Sequence, residues 1–122
     1  MPQKILLTDD DKDLVEAMSV RLERDGYTVL RAYDGDECLD KARAELPDLI
    51  IMDVAMPKID GYSALKTLRT DKAIRHIPVI ILTAKDQMED IFKMEGIKDF
   101  FVKPFEYDAV ARKVKSILQK KQ

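Results

Sequence analysis

Three carboxylates, one hydroxyl and one amine stand where short apolar runs of the sequence end. Asp9 and Asp10 follow the run ILLT, Asp53 closes LIIMD, Thr83 closes PVIILT and Lys103 closes DFFVK. Carboxylate oxygens with no cysteine or histidine nearby favour Mg²⁺ or Mn²⁺ over zinc. A metal, a lysine, a hydroxyl and a carboxylate nucleophile are together the parts of phosphoryl transfer to an aspartate. The sequence therefore offers the groups for that chemistry, provided that they meet.

Asp53 is the best candidate for the nucleophile. It follows four consecutive apolar residues, a pattern typical of a strand buried on both faces of a sheet, and such a strand fixes the position of its last side chain. Neighbouring carboxylates about 4 Å apart repel one another by roughly 4 kcal/mol at an effective dielectric of about 20. A divalent ion would offset this repulsion, and without it one carboxylate should have a raised pKa. Lys103 can pair with a carboxylate or with an incoming oxyanion.

The elements that must position these groups are visible in the hydrophobic pattern. Short apolar runs predict strands, and apolar residues at helical spacing predict helices between them. The predicted strands are Lys4–Thr8, Tyr27–Ala32, Asp48–Val54, Pro78–Thr83 and Asp99–Lys103. The predicted helices are Asp11–Asp25, Asp36–Glu45, Tyr62–Thr70, Asp86–Glu95 and Glu106–Lys120, with turns at Asp34-Gly35 and Asp60-Gly61. This alternation predicts an α/β fold, a doubly wound five-stranded parallel sheet with five helices on its two faces.

In folds of this class the site lies beyond the carboxyl ends of the strands, where the strand order reverses. The polar residues at the strand ends are therefore expected to converge. Asp11 and Asp13 more simply begin the first predicted helix, because acidic side chains favour a helix N-terminus. A calcium-binding loop starting at Asp9 is excluded, since its required Gly and Glu positions hold Leu14 and Val20.

Length and composition limit the classes of protein to which the chain can belong. The 122 residues, 46% hydrophobic and 36% charged, are typical of one soluble globular domain. A formal net charge of −2 with mixed signs gives no indication of nucleic-acid binding. No apolar run approaches the roughly 20 residues that span a bilayer, and the first residues lack a signal peptide. The single cysteine, Cys38, is consistent with a reducing, cytoplasmic setting.

Four motifs in order carry a resemblance to a known family. TDDD after the first predicted strand, IIMDVAMPKIDG around Asp53, ILTAK at Thr83 and FFVKPF at Lys103 closely resemble the receiver domain of bacterial two-component response regulators. The resemblance covers essentially the whole chain. It implies a flavodoxin-like three-layer sandwich with strand order 2-1-3-4-5. It also implies that residues 1–122 form a single, stand-alone, chemotaxis-regulator-like receiver domain with no output domain.

The resemblance assigns the phosphoacceptor and the metal ligands. Asp53 would accept the phosphoryl group, and Asp10 would be a direct ligand of Mg²⁺ or Mn²⁺. Asp9 would assist, mainly through metal-bound water, and the backbone carbonyl of Ala55 would complete the metal shell. The phosphoryl donor would be a histidine kinase or a histidine phosphotransfer protein.

The resemblance also implies a switch. Thr83 would bond the phosphoryl group on activation, Lys103 would pair with it, and the Lys103–Pro104 peptide would be cis. Phe100 stands at the position of the aromatic switch residue, and would turn inward as the loop after Thr83 moves. The face formed by the fourth helix, the fifth strand and the last helix would then bind a downstream protein target, with no direct contact to nucleic acid or membrane.

Two features depart from the usual family pattern. The interval of 20 residues from Thr83 to Lys103 is shorter than is common, so the fourth helix is expected to be short or irregular. Ala55 replaces a polar residue often found two positions after the phosphoacceptor. In this family that position and Lys85 influence hydrolysis of the phosphoryl group. We therefore expect autodephosphorylation to be slow. The resemblance also implies that the chain is not an enzyme in the ordinary sense and catalyses only its own phosphorylation and dephosphorylation.

Two other interpretations remain open. Asp9-x-Asp11 after a strand is similar to the haloacid-dehalogenase phosphatases, which would make the chain a small Mg²⁺-dependent phosphatase working through an aspartyl-phosphate intermediate. That interpretation leaves Asp53 unexplained. Alternatively the chain is a receiver fragment of a larger transcriptional regulator or hybrid kinase. Met1 and the basic tail KSILQKKQ favour a complete chain.

Overall fold

A computed structural model of the chain describes residues 2–54, 61–84 and 99–120. Five strands in these ranges form one sheet: β1 (Lys4–Thr8), β2 (Thr28–Ala32), β3 (Leu49–Asp53), β4 (Val79–Thr83) and β5 (Asp99–Val102). Neighbouring strands are parallel, in the order β2-β1-β3-β4-β5. The chain passes from β1 outward to β2 and then back across to β3. The carboxyl ends of β1 and β3 therefore flank the point where the strand order reverses.

The described residues form four helices, two of which begin at aspartate caps. They are α1 (Lys12–Arg24), α2 (Gly35–Glu45), α3 (Gly61–Thr70) and the C-terminal helix (Tyr107–Lys120). The side chain of Asp11 accepts a hydrogen bond of 3.1 Å from the N–H of Leu14, and that of Asp34 accepts one of 2.8 Å from the N–H of Glu37. Both bonds satisfy amides that a helix leaves free at its start. Among the described helices, none has the length and apolar character needed to cross a bilayer.

Alternate residues of each strand contribute to two separate cores. On one face of the sheet the strands pack with α1 and the C-terminal helix, through buried residues that include Ile5, Leu7, Val15, Met18, Leu22, Ile51, Ile80, Leu82, Val110 and Val114. On the other face they pack with α2 and α3, through Leu6, Cys38, Leu39, Ile50, Met52, Ala64, Leu65, Leu68 and Ile81. Helices on both faces of one sheet make the expected three-layer α/β sandwich.

The strands and helices predicted from the sequence are present throughout the described ranges, with ends shifted by at most one residue. Gly35 was predicted in a turn and is instead the first residue of α2, because the Asp34 cap precedes it. Asp48 was predicted in a strand, but its side chain accepts a hydrogen bond of 2.8 Å from the N–H of Lys4, and β3 begins one residue later. The predicted fourth helix, Asp86–Glu95, lies outside the described residues.

Candidate functional site

Backbone hydrogen bonds fix the ends of four neighbouring strands at one edge of the sheet. Asp53 is the last residue of β3. The N–H of Asp9 donates to the carbonyl of Ala32 at 3.2 Å, so Asp9 continues β1 by one residue. The N–H of Lys103 donates to the carbonyl of Thr83 at 2.8 Å, so Lys103 continues β5 beside the end of β4. The backbones of Asp9, Asp53, Thr83 and Lys103 are therefore held by the sheet itself, as the strand-end rule predicted.

Three carboxylates meet at this edge. One oxygen each of Asp9, Asp10 and Asp53 lies within 4.8 Å of the other two. Asp9 is fully buried and Asp53 is 4% exposed, whereas Asp10 is exposed. The Asp10 carboxylate makes no hydrogen bond with a residue in the ranges 2–54, 61–84 and 99–120, so its oxygens are available to an ion. An all-oxygen cluster of this kind suits a hard divalent cation.

Lys103 places its amine against two of these carboxylates. Its Nζ lies 2.7 Å from Asp9 Oδ2 and 3.0 Å from Asp53 Oδ2. Strands β5 and β3 are separated by about 10 Å in a sheet of ordinary spacing, so the long lysine stem must extend past the end of β4. The other oxygen of Asp9 accepts a hydrogen bond of 3.0 Å from the N–H of Asp11. Asp9 is thus held by both oxygens, while Asp53 contacts the same amine.

The pKa values of Asp9 and Lys103 reflect an excess of negative over positive charge in the cluster. Burial raises the pKa of Asp9 above its usual 3.8, and the charge of Asp53 adds to this rise, against the hydrogen bonds from Lys103 and the N–H of Asp11. Burial would lower the pKa of Lys103, but its hydrogen bonds and charge interactions with Asp9 and Asp53 outweigh burial and raise that pKa above 10.5. Two buried carboxylates share one ammonium. A bound divalent cation would balance this excess, and the donor set therefore fits such an ion.

Thr83 and Phe100 lie on the same face of the sheet. The Thr83 side chain is fully buried, and its hydroxyl donates to the carbonyl of Ala84 at 3.2 Å. Phe100 is opposite Ile81 in the β4–β5 ladder and packs, half-buried, against the core under α2 and α3. Partners in a parallel ladder project to the same side, and Thr83 is two residues beyond Ile81. The hydroxyl and the ring therefore project to the same side of the sheet from adjacent strands.

The structure brings Asp9, Asp10, Asp53 and Lys103 into one cluster, as the sequence predicted. The peptide between Lys103 and Pro104 is cis, as the family resemblance implied. Ala55 and Lys85, and with them the predicted carbonyl ligand, lie outside the described residues.

Sequence reasoning missed one contact at this edge of the sheet. The amine of Lys12, in the first turn of α1, lies 5.7 Å from the centre of the Tyr33 ring. Tyr33 directly follows β2, and its N–H donates to the Glu37 carboxylate at 2.6 Å. Because Tyr33 follows the end of β2, its position in the sequence is the signal that predicts it at this edge of the sheet.

Comparison with known proteins shows which family of proteins the chain is similar to. A family model described as the response regulator receiver domain matches residues 5–115. The chain is 43% identical to the alkaline phosphatase synthesis transcriptional regulatory protein PhoP of Bacillus subtilis, over 100% of this chain and 51% of that protein. It is 34% identical to Protein PilH of Pseudomonas aeruginosa, over 94% of this chain and 97% of that one.

The fold of the chain is also similar to that of solved structures. The receiver domain of the Francisella response regulator 1452 superposes with a TM-score of 0.89 at 33% identity, covering 98% of this chain and 99% of that chain. The chain spans about half the length of several curated relatives that it matches, the Bacillus protein among them. Its similarity to those proteins is therefore a similarity to one part of them.

Proposed function

Because this chain belongs to the response regulator receiver domain family, we propose that it receives a phosphoryl group on Asp53 and passes the signal on through a change of shape. One observation carries the assignment of Asp53. Its carboxylate ends a fully buried strand, lies 3.0 Å from the Lys103 amine and belongs to a cluster of three carboxylates. Asp9 also pairs with the amine, but of the three carboxylates only that of Asp53 ends the central strand of the sheet.

The reaction forms one bond and breaks one. An oxygen of Asp53 forms a bond to phosphorus as the bond from phosphorus to the donor nitrogen breaks, and the donor imidazole keeps that electron pair and takes up a proton from water. With acetyl phosphate as donor, acetate leaves instead. Lys103 supplies positive charge beside the acceptor oxygen before transfer, where it can pair with the oxygens of the incoming phosphoryl group without reorganisation. The donor protein would be a histidine kinase or a histidine phosphotransfer protein.

We propose Mg²⁺, or Mn²⁺ in its place, as the cation of this site. Asp10 and Asp53 would hold it directly and Asp9 would act through water, with the backbone carbonyl of Ala55 as a further ligand. The exposed Asp10 and the fully buried, doubly hydrogen-bonded Asp9 support this division of roles. When bound, the ion would neutralise negative charge on the carboxylates and on the phosphoryl oxygens.

The proposed output is a switch at Thr83 and Phe100. A phosphoryl group brings a charge of about −1.5 to −2 and three acceptor oxygens. Thr83 would exchange its hydrogen bond with the Ala84 carbonyl for one to the phosphoryl group, and Phe100, on the same face of the sheet, would turn inward. The altered surface of β5 and the C-terminal helix would bind a downstream protein.

Hydrolysis of the acyl phosphate is expected to be slow. The side chain of Asp53 is 5% exposed, which limits the access of water. The chain would thus catalyse its own phosphorylation and slow dephosphorylation without turning over a separate substrate. A cytoplasmic location and the absence of direct contact with nucleic acid or membrane are parts of this proposal.

Two arrangements of the native protein are compatible with the relatives. Coverage of 97% of PilH supports a receiver that acts alone, as we propose for residues 1–122. Coverage of 51% of the Bacillus transcriptional regulator supports a second candidate, a receiver joined to a DNA-binding output. The size of the endogenous protein on an immunoblot, compared with this 122-residue chain, would distinguish them.

Incubation with acetyl phosphate and Mg²⁺, followed by intact-mass measurement, tests the proposed function. We expect one phosphoryl group per chain in the wild type and in Asp40→Asn, which alters an exposed carboxylate of α2, and none in Asp53→Asn. Phosphorylation that survives Asp53→Asn would contradict the proposal. Rapid multiple turnover of small phosphate esters would instead support a phosphatase.

A further inference from the structure

A second polar site lies between the end of α1 and the C-terminal helix. It is a cleft of about 610 Å³, and its lining is dominated by arginine, lysine, aspartate and tyrosine. A second depression of about 370 Å³ adjoins it along the C-terminal helix, and both are lined by Arg112 and Lys115. The two depressions together make one groove, which we call the α1–C-terminal groove. It contains none of the residues of the acidic cluster.

Contacts within the groove occupy its two aspartates. The Arg21 guanidinium lies 4.0 Å from the centre of the Tyr107 ring and 3.3 Å from a carboxylate oxygen of Asp108. The Tyr107 hydroxyl donates to Asp25 Oδ2 at 3.3 Å. Each acidic side chain of the cleft thus already accepts a hydrogen bond from a neighbouring side chain.

Three cations of the groove have no such partner. Arg24, Arg112 and Lys115 are exposed, and none forms an ion pair with any residue in the parts of the chain that the structure describes. Arg112 and Lys115 are three residues apart on one helix, so their side chains are neighbours on one face. A concentration of unpaired positive charge on a chain with a net charge of −2 marks a place for an anionic partner.

We propose that the α1–C-terminal groove binds an acidic, extended peptide segment of a partner protein. Pockets for small molecules are mostly apolar and bury most of their ligand, whereas this groove is open and lined by charged groups. Its cations are distributed over two adjoining depressions, which suits several carboxylates in a row. Complementary charge of this kind speeds association and fixes the register of a bound segment. The inference is independent of phosphorylation at Asp53.

Fluorescence anisotropy with a fluorescein-labelled peptide of alternating glutamate and glycine tests this. We expect saturable binding that weakens as salt is raised, and no binding of the peptide in which glutamine replaces glutamate. The double variant R112E/K115E should weaken binding by about tenfold or more. The double variant K66E/K72E, which reverses two exposed lysines outside the groove, is the matched control and should bind as wild type does.

Further variants serve as controls for the peptide-binding experiment. R112Q/K115Q should also weaken binding, by a smaller factor, and far-ultraviolet circular dichroism should show that the variants are folded. Asp53→Asn should bind the peptide normally, which separates this inference from the proposed function. Equal weakening by K66E/K72E, unaltered binding by R112E/K115E, loss of binding in Asp53→Asn, or binding of inorganic phosphate without binding of the peptide would each overturn the proposal.

Discussion

The amine of Lys103 lies 3.0 Å from Asp53 Oδ2, although 50 residues separate the two in the chain and β4 lies between their strands. The sheet holds both backbones, and the lysine stem covers the remaining distance. Positive charge is therefore in place beside Asp53, the proposed acceptor, before any phosphoryl group arrives. Such preorganised charge can stabilise the negative charge on the oxygens of a transferring phosphoryl group, which is often the largest contribution of a protein to such a reaction.

Replacing Lys103 by methionine should slow phosphorylation while leaving the acceptor in place. Removal of one preorganised electrostatic group lowers rates by about 10²-fold or more, and we expect a reduction of that size in the transfer from acetyl phosphate. A time course of intact mass in excess Mg²⁺ measures it. Lys113→Met is the control, since Lys113 pairs with Asp99 at 3.1 Å and is not in the acidic cluster. A rate equal to that of the wild type would contradict the role of Lys103.

Replacing Asp9 by asparagine should stabilise the metal-free protein at neutral pH. Burial raises the pKa of Asp9 in the folded state, so folding favours its protonated form. The stability that this carboxyl contributes is fully present below its unfolded pKa, and is lost as pH rises through the folded pKa. Asparagine still accepts from the N–H of Asp11 without the charge. We expect a higher free energy of unfolding than in the wild type at pH 7 in EDTA.

The stability of the Asp9→Asn variant should also depend on pH and on Mg²⁺ differently from that of the wild type. Its advantage should shrink as pH falls through the raised pKa of the folded wild type toward 3.8, because the Asp9 carboxyl then becomes protonated. It should also shrink in excess Mg²⁺, which offsets the carboxylate charge. Urea unfolding curves at several pH values, with EDTA or with Mg²⁺, measure both effects. A variant less stable than the wild type at every pH would show that the Asp9 charge is fully compensated in the fold.

Replacing Thr83 by alanine should separate phosphorylation from the switch. Beryllofluoride with Mg²⁺, a mimic of the phosphoryl group, should shift the NMR signals of β5 and the C-terminal helix in the wild type. Without the hydroxyl there is no bond to draw the end of β4 toward the site, so the shift at Phe100 should be largely lost. Thr28→Ala, at an exposed strand start, is the control. A shift at Phe100 of wild-type size in Thr83→Ala would rule out this coupling.

The fold was predictable because its signals are local. The apolar run before Asp53 and the helical spacing of Val15, Met18 and Leu22 predicted a buried strand and an amphipathic helix, and both are present. Within the ranges 2–54, 61–84 and 99–120, the errors were confined to the ends of strands and helices, where one side chain decides. Asp-Gly is typical of a turn, yet the bond from the Glu37 N–H to Asp34 starts a helix there.

The site was predictable as far as the backbone determines it. The ends of parallel strands meet at one edge, which is enough to bring Asp9, Asp53 and Lys103 together. The choice of partner by the lysine is a matter of side-chain conformation, and its closer approach to Asp9, at 2.7 Å, has no signal in the sequence. The same holds for the ion pair of Arg21 with Asp108, 87 residues apart, because it depends on how two helices pack.

The most direct measurement of the central claim is the identity of the residue that carries the phosphoryl group. Borohydride reduction of the phosphorylated protein converts an aspartyl phosphate to homoserine, which tandem mass spectrometry locates in the sequence. We predict homoserine at Asp53 in the wild type, in an amount that depends on Mg²⁺ and on Lys103. Homoserine at Asp9 or Asp10, or none at Asp53 in protein shown to be phosphorylated, would contradict the account.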